Sequence, residues 1–194
     1  MPRGLARDHT EKRAALRRGA AAHFATHGYD RASMASVAQA CGVSKALIYH
    51  YYDSKEALLF DILHDHLSSL ARAIEGAGQQ GNAEERLRDT IRVILLEYAD
   101  ADDAHKVQLD TLDTLPDQMR RPLLELMRGM VERLGARLEA ASPDGLGDRR
   151  RAVTMSVFGM LNWFYTWHRP GRWPDRAEYA DLVTDLVIGG LRDL

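Results

Sequence analysis

The segment CGVSKALIYHYYDSKEALL, residues 41–59, begins with a glycine turn and then carries four consecutive rings, from Tyr49 to Tyr52. Rings that all served the buried face of one helix would recur every three or four residues, because only that spacing keeps them on one side. Adjacent rings must point in different directions. The pattern therefore predicts a short helix on which some rings face the core and others face away from it.

Two capped short helices with a glycine between them account for this region. Ser33 is at the N-cap position of a predicted helix over residues 35–40. Ser44 is at the N-cap position of a second predicted helix, which ends near Tyr51. Gly42 lies in the turn between them, where a positive φ is needed. The arrangement predicts a helix-turn-helix, in which the first helix packs across the second and presents it to the DNA major groove.

The rest of the chain is also patterned as helix. A first helix over residues 9–27 places Leu16, Ala20 and Phe24 four residues apart and ends at Gly28. Apolar residues at helical intervals, separated by loops, predict further helices over residues 54–75, 84–99, 104–113, 117–141, 149–168 and 175–192. No segment has the alternation of a strand, so the predicted fold is all-α.

The head and the body differ in charge. The whole sequence has a formal charge of -2, yet residues 1–60 contain nine Lys or Arg against five Asp or Glu, which gives +4 there and -6 in the rest. A basic end on an acidic body is expected when one segment meets a polyanion. We place the domain boundary after residue 55, with a three-helix head over residues 1–55 and a helical body over residues 56–194.

Composition excludes several classes of protein. The chain is 45% hydrophobic and 28% charged, as in ordinary globular proteins. No apolar run approaches the roughly 18 residues that span a membrane, and the basic start lacks the apolar section of a secretory signal. The one cysteine, Cys41, is expected to be a small packing residue. We expect a cytoplasmic protein without a membrane partner.

Residues 9–60, which contain HGYDRASMASVAQACGVSKALIYHYYDSKEALL, resemble the DNA-binding head of the tetracycline-repressor (TetR) family of bacterial transcription regulators. The matching positions are Gly28, Tyr29, Ser33, Val37, Ala38, Gly42, Val43, Ser44, Lys45, Tyr49, Tyr52, Lys55, Leu58 and Leu59. The resemblance implies a homodimeric repressor that binds a palindromic double-stranded operator and is released by a small effector. The body would then serve ligand binding and dimerisation.

The resemblance also implies which head residues meet DNA. These are Ser33, Ser44, Lys45, Ala46, Leu47, Tyr49, His50, Tyr51 and Lys55. Tyr52 and Ile48 share a face with the packing helices and are expected in the core. Many relatives have Gly-Thr where this chain has Ala46 and Leu47, so an apolar contact with a thymine methyl group replaces a hydroxyl donor there.

The last two predicted helices, over residues 149–168 and 175–192, correspond to those that pair with a second subunit as a four-helix bundle in TetR-like proteins. Gly159, Gly189 and Gly190 would permit close approach of the helices. The first of the two is apolar on most sides, so it must be buried on most sides. The alternative is that its apolar stripes only fill the core of a single chain.

Methionine and aromatic side chains are abundant in the body, where they either line an adaptable effector pocket or form plain core. The residues predicted to bind an effector are Met119, Met127, Met130, Phe158, Asn162, Trp163, Tyr165 and Trp167. The segment LNWFYTWHRPG resembles TetR regulators of fatty-acid, phenylacetate and sterol-ring breakdown, which sense acyl-CoA thioesters. Cationic candidates for the phosphates of such a ligand are Arg120, Arg121, Arg128, Arg169 and Arg172.

Enzyme signatures are absent from the sequence: there is no phosphate-binding glycine loop, no HExxH and no nucleophile elbow. His23 and His27 lie four apart, and His64 and His66 flank Asp65, so a metal site can be considered. Two imidazoles at helical spacing without a third ligand in view are usually surface residues. We expect no catalytic residue, no metal and no cofactor. The alternative function is a helical small-molecule-binding protein or enzyme whose head is only structural, and salt-dependent binding to its own promoter DNA would distinguish the two.

Overall fold

The computed structural model describes residues 3–99, 101–169 and 171–193. Over these ranges the chain is helical and contains no strand, which confirms the predicted all-α fold. The α-helices are α1 (Arg3–His27), α2 (Met34–Ala40), α3 (Lys45–Tyr51), α4 (Lys55–Gly76), α5 (Ala83–Glu97), α6 (Asp102–Thr111), α7 (Asp117–Ala141), α8 (Arg150–Trp167) and α9 (Arg176–Leu191). The largest departure from prediction is at α1, which begins at Arg3 rather than near residue 9.

Helices α2 and α3 begin at the predicted caps. Ser33 Oγ accepts a hydrogen bond from the Ser36 amide at 3.1 Å, and Ser36 Oγ accepts one from the Ser33 amide at 3.0 Å. Ser44 Oγ accepts from the Leu47 amide at 3.1 Å. Gly42, in the turn between the helices, has a φ of 66°, which most other residues rarely adopt. Both N-caps and the glycine turn are confirmed.

The chain divides into two compact units. The first unit is Met1–His66 with Ala101–Leu123, and the second unit is Leu67–Asp100 with Leu124–Leu194. Helix α6 thus belongs with the head helices in the first unit. The predicted division after residue 55 stays a prediction drawn from sequence.

The first unit has its own apolar core. The predicted stripe on α1, formed by Leu16, Ala20 and Phe24, is no more than 3% exposed, and Val37 of α2 is fully buried. The Phe24 ring meets the edge of the Tyr29 ring at 5.1 Å between centroids. Burial of one large apolar side chain contributes about 1.5–3 kcal/mol, so these contacts hold the head together.

Helix α6 packs on α1 within the first unit. Lys106 Nζ donates to the Ala25 carbonyl at 2.7 Å, near the end of α1. His105, which is 1% exposed, lies against His66 with 5.7 Å between ring centroids. This buried histidine pair was not predicted from the sequence.

The second unit is centred on packing between α5 and α9. Leu87, Ile91 and Ile94 form a fully buried stripe on α5, at intervals that place them on one face. The edge of this contact carries ion pairs: Arg88 reaches Asp185 at 2.5 Å and Asp181 at 3.3 Å. In the described part of the chain, no helix is long and apolar enough to cross a membrane.

Candidate DNA-binding surface and effector region

Helix α3 is seated in the head by two side chains on its inner face. Ile48 is fully buried, and Tyr52, which caps the end of the helix, is 3% exposed. The two lie four residues apart and so share one side. Their predicted place in the core is confirmed, and it determines which side of α3 faces outward.

The opposite side of α3 is open to solvent. Lys45, Ala46, Tyr49 and His50 are exposed, and Leu47 beside them is half-buried. A helix fits the B-DNA major groove, which is about 12 Å wide. The structure therefore brings these five predicted residues together on one surface that a groove could receive.

Tyr51 lies at the rim of this surface and is half-buried. Its ring centroid is 4.6 Å from that of His9 on α1 and 5.4 Å from that of His50. Lys45 Nζ lies 5.8 Å from the centre of the Tyr49 ring, within the range of a cation–π interaction. The outward rings are thus held by neighbours before any DNA is bound.

Ser33 and Ser44 are exposed at the starts of α2 and α3. Each side-chain oxygen accepts a hydrogen bond from a backbone amide of its helix. A hydroxyl can accept one hydrogen bond and donate another at the same time. Both serines therefore keep a proton that could be donated to a phosphate oxygen.

Lys55 has a different environment from the one expected. Its ammonium donates to the Tyr29 carbonyl at 2.9 Å and to the Ala32 carbonyl at 3.0 Å, and it lies 4.2 Å from the centre of the Tyr29 ring. The ammonium thus joins the start of α4 to the loop between α1 and α2. The ammonium is therefore engaged within the head, and the backbone amide of Lys55 lies in the first turn of α4.

A polar network missed by the sequence analysis links three helices of the head. Asp61 of α4 accepts hydrogen bonds from the Tyr52 hydroxyl at 2.7 Å and from Arg13 Nε and Nη2 at 3.0 and 2.9 Å. Arg17 Nη1 approaches the same carboxylate at 3.3 Å. A signal was available in the sequence, because a buried tyrosine needs a partner for its hydroxyl.

The protonation states of this network follow from its geometry. Burial raises the pKa of the Asp61 carboxyl, but hydrogen bonds from Tyr52 and Arg13 and the charges of Arg17 and Arg13 outweigh it, so the pKa is lowered overall. Burial and the Asp61 carboxylate raise the pKa of the Tyr52 hydroxyl. Tyr52 therefore stays a neutral donor and Asp61 an ionised acceptor.

The residues predicted to bind an effector fall into different environments. Buried or half-buried are Met119, Met127, Met130, Phe158, Asn162 and Tyr165. Met119 belongs to the first unit and the other five to the second. Trp163 and Trp167 are 64% and 44% exposed in the single chain, which does not support a role in lining an internal pocket.

Asn162 has a buried polar neighbour that was not predicted. The Tyr98 hydroxyl donates to Asn162 Oδ1 at 2.8 Å, and Tyr98 is 3% exposed. Burial raises the pKa of Tyr98, so its hydroxyl is a neutral donor. Tyr98 continues the buried face of α5, seven residues after Ile91, and that spacing could have identified it.

An apolar surface on α8 and α9 is open to solvent. Met155, Trp163 and Leu186 are 48%, 64% and 61% exposed. A depression of about 350 Å³ lies between the two helices, lined by Val153, Met160 and Leu186 among others. A Cβ added at Gly159, Gly189 or Gly190 would meet nothing within 4 Å. Large apolar side chains exposed in a single chain are expected where another surface covers them.

Among the described residues, no group of three or more His, Cys, Asp or Glu side chains is placed to hold a metal ion. His23 and His27 stack on each other at 4.4 Å, and His23 Nε2 shares a hydrogen bond with Ser36 Oγ.

A capped recognition helix on a compact head, followed by a separate helical body, defines a helix-turn-helix transcription regulator. Residues 16–62 match the family model for bacterial regulatory proteins of the tetR family. Residues 80–191 match that for the tetracyclin repressor-like C-terminal domain. The chain belongs to the TetR family. Members of this family bind operator DNA as dimers and respond to small-molecule effectors.

Curated relatives agree with this assignment. The transcriptional repressor Rv1474c of Mycobacterium tuberculosis is 30% identical over 155 residues, which cover 78% of this chain and 73% of that protein. The transcriptional repressor AcnR of Corynebacterium jeikeium is 31% identical over 81 residues, 42% of this chain and 43% of that protein. The match to AcnR thus spans less than half of that relative's length.

Solved structures extend the similarity to nearly the whole chain. A TetR-family regulator from Bordetella parapertussis superposes with a TM-score of 0.84 at 33% identity, covering 94% of this chain and 96% of that one. AibR, in complex with isovaleryl coenzyme A and operator DNA, superposes with a TM-score of 0.78 at 26% identity. The match covers 90% of this chain and 97% of the AibR chain.

Proposed function

We propose that the protein is a cytoplasmic, homodimeric repressor that binds a palindromic operator through α3 and leaves it when a small effector binds the body. One observation carries the DNA-binding part. Ile48 and Tyr52 fix the inner side of α3, so Lys45, Tyr49 and His50 are presented together on the outside. Regulation of this kind acts by binding, and we assign no residue a catalytic role.

The nine predicted residues divide by chemistry. Lys45 suits a phosphate or a guanine edge, while Ala46 and Leu47 suit the methyl group of thymine. Tyr49, His50 and Tyr51 carry polar atoms at the ends of flat rings and would contact bases or phosphates along the groove. Ser33 and Ser44 would donate to phosphates from the starts of their helices, and Lys55 would do so through its backbone amide.

Dimerisation through α8 and α9 would place two copies of α3 on one DNA duplex. A two-fold dimer reads half-sites about 34 Å apart, one helical turn of the duplex. The exposed Met155, Trp163 and Leu186 supply apolar surface for this contact. The glycines at positions 159, 189 and 190 leave space for a helix of the second copy.

We propose an acyl-CoA thioester as the class of effector. The structural similarity to AibR, whose structure contains isovaleryl coenzyme A, supports this class. On this chain the buried Met130 and Phe158 would contact the acyl chain, and the Tyr98–Asn162 pair could bind the thioester carbonyl. Ligand binding would favour a spacing of the two heads that no longer matches successive major grooves.

Fluorescence anisotropy with DNA from upstream of the protein's own gene tests the DNA-binding part. We expect tight binding that weakens steeply with salt, and Lys45→Ala should lower the slope of log K against log[salt] by about 1. A scrambled duplex of the same length is the control. Equal affinity for both duplexes would rule out a specific operator in that region.

The effector part is tested by adding short- and long-chain acyl-CoA thioesters to the protein–DNA complex. The expected result is release of the DNA together with a rise in melting temperature of the free protein. Free coenzyme A and the free acids are matched controls. If no thioester shifts the melting temperature or releases DNA, the effector belongs to another chemical class.

A further inference from the structure

A basic cavity of about 380 Å³ lies in the second unit, where the end of α4, the start of α5 and the end of α7 meet. Its size is within the range of small-molecule sites. None of the residues predicted to bind the effector is in its lining. The predicted effector site therefore does not account for this cavity.

Three arginines dominate the lining. Arg86 comes from α5, while Arg133 and Arg137 lie four residues apart on α7 and so share one side of that helix. Among the described residues of the lining, Glu75 is the one acid, and it lies 3.6 Å from Arg133 with 66% of its side chain exposed. The lining is thus net positive, although residues 61–194 carry -6 in total.

The walls leave these arginines accessible. Ala83, Ala136 and Ala140 line the space between them, and small side chains neither fill it nor compete for hydrogen bonds. Like charges gathered around an unfilled space repel one another unless an anion neutralises them.

The α4–α5 loop contacts the guanidinium of one of these arginines and the backbone of another. Arg137 Nη2 donates to the Ala77 carbonyl at 3.2 Å. Gly78 has a φ of +61°, and a Cβ there would come within 2.6 Å of the Arg86 carbonyl oxygen. The loop therefore packs directly on the backbone of Arg86, so the cavity exists before a ligand arrives.

We propose that this cavity binds a small ligand through its phosphate groups, with Arg86, Arg133 and Arg137 as the residues that hold them. A guanidinium presents a planar fork of donors that matches two phosphate oxygens. Three guanidinium groups carry three positive charges, so they suit a multiply charged phosphate ligand better than a ligand with one carboxylate. The lining shares no residue with the proposed effector region, and the proposal does not depend on the acyl-CoA assignment.

Isothermal titration calorimetry on the full chain, without DNA, tests the proposal with adenosine 3′,5′-bisphosphate, pyrophosphate and citrate as probes. We expect binding of one or both phosphate compounds, with pyrophosphate binding showing that phosphate alone suffices and bisphosphate-only binding showing that the nucleoside also contributes. Arg86→Gln should weaken binding by about tenfold or more, as expected for loss of a charge-assisted contact. Arg92→Gln, on the same α5 helix as Arg86 but outside the lining, is the matched control and should change binding less than about twofold.

Arg137→Gln also removes the contact with Ala77 and could unfold the loop, so Arg86→Gln is the decisive variant. The proposal is overturned if neither phosphate compound binds, if citrate binds as tightly as both, or if Arg86→Gln and Arg92→Gln bind alike. Because DNA is absent from the experiment, failure here would leave operator binding and its release by effector untouched.

Discussion

The hydroxyl of Tyr52 donates a 2.7 Å hydrogen bond to Asp61 Oδ2. Tyr52 caps the end of the recognition helix and Asp61 lies on α4, so this bond links α3 to the helix that follows it. Arg13 on α1 binds the same carboxylate through two nitrogens. The orientation of α3 in the head therefore depends on a polar network as well as on the burial of Ile48.

Removal of the Asp61 carboxylate should destabilise the head and weaken DNA binding. Asp61→Ala leaves the Tyr52 hydroxyl and Arg13 without this acceptor, while Arg17 keeps its pair with Asp65, and we expect a loss of about 2–3 kcal/mol in the free energy of unfolding. Urea denaturation followed by circular dichroism measures it. Asp65→Ala is the control: Asp65 pairs with Arg17 at 3.0 Å but is 58% exposed, so less than about 1 kcal/mol is expected. Equal losses would show that the network does not stabilise the head.

The same network should give acid sensitivity. The pKa of Asp61 is lowered in the folded protein from an ordinary value of 3.8. Its contribution is therefore complete above that ordinary value and is lost as the pH falls below it, through the folded-state pKa. The difference in stability between the unmodified protein and Asp61→Asn should stay constant from pH 5 to about pH 4 and narrow as the pH falls below about 3.8. A difference that does not narrow there would contradict the assignment.

Lys55 and Lys45 should behave in opposite ways. Lys55→Met removes two hydrogen bonds to main-chain carbonyls and should lower the free energy of unfolding by about 1–3 kcal/mol. It should leave the salt dependence of DNA binding unchanged. Lys45→Met should leave stability unchanged and reduce the salt slope by about 1. Denaturation and anisotropy on both variants decide this, and the idea fails if Lys55→Met alone changes the salt slope.

The buried His66 should make the protein less stable below neutral pH. Burial and the nearby His105 lower the pKa of His66 to about 4, whereas the unfolded chain has the ordinary value of 6.5. The unfolded state binds more protons between these values, so stability falls as the pH drops from 6.5 towards 4, by up to about 3 kcal/mol.

Urea denaturation at pH 7.5, 6.0 and 5.0 measures this dependence. These pH values lie above the range where most carboxylates titrate. His66→Gln should flatten the pH dependence, while His64→Gln, which changes an exposed side chain on the same helix, should leave it as it was. A steep dependence that survives in His66→Gln would place the sensitivity elsewhere.

A charge on the apolar surface of α8 and α9 should separate the proposed dimer. Leu186→Glu places a carboxylate on a side chain that is 61% exposed in the single chain, and a buried, unpaired charge in the contact would cost several kcal/mol. Light scattering coupled to size exclusion should show a monomer, and operator affinity should fall.

Leu96→Glu is the matched control for the dimer contact, since Leu96 is 46% exposed on α5. It should leave the mass and the DNA affinity of the protein unchanged. A dimer that persists in Leu186→Glu would show that the contact lies on another surface.

Much of the head could be predicted from sequence because its signals are local. The N-caps Ser33 and Ser44 each accept a hydrogen bond from an amide three residues later in the chain. Gly42 has the positive φ that the turn between α2 and α3 requires. The inner face of α3, formed by Ile48 and Tyr52, follows from helical spacing alone. These features depend on neighbours in the chain, so a pattern along the sequence is sufficient to identify them.

The body was predicted less well where exposure depends on packing between distant segments. Trp163 looked like a pocket residue because it is large and apolar, yet it is 64% exposed in the single chain. Tyr98 was passed over although it is buried and paired with Asn162, 64 residues away. The apolar character of a side chain predicts that it will be removed from water. It does not predict whether the same chain or a second molecule covers it.

The helices, the caps of α2 and α3 and the side of α3 that faces outward can be read from the amino-acid sequence, since each follows from interactions within one or two turns of helix. The partners of long polar side chains are known only once the chain is folded. Lys55 reaches back to the carbonyls of Tyr29 and Ala32, and Asp61 gathers Tyr52 and Arg13. Such partners are set by the approach of separate helices, because a flexible or charged side chain binds whichever group the fold brings within about 3 Å.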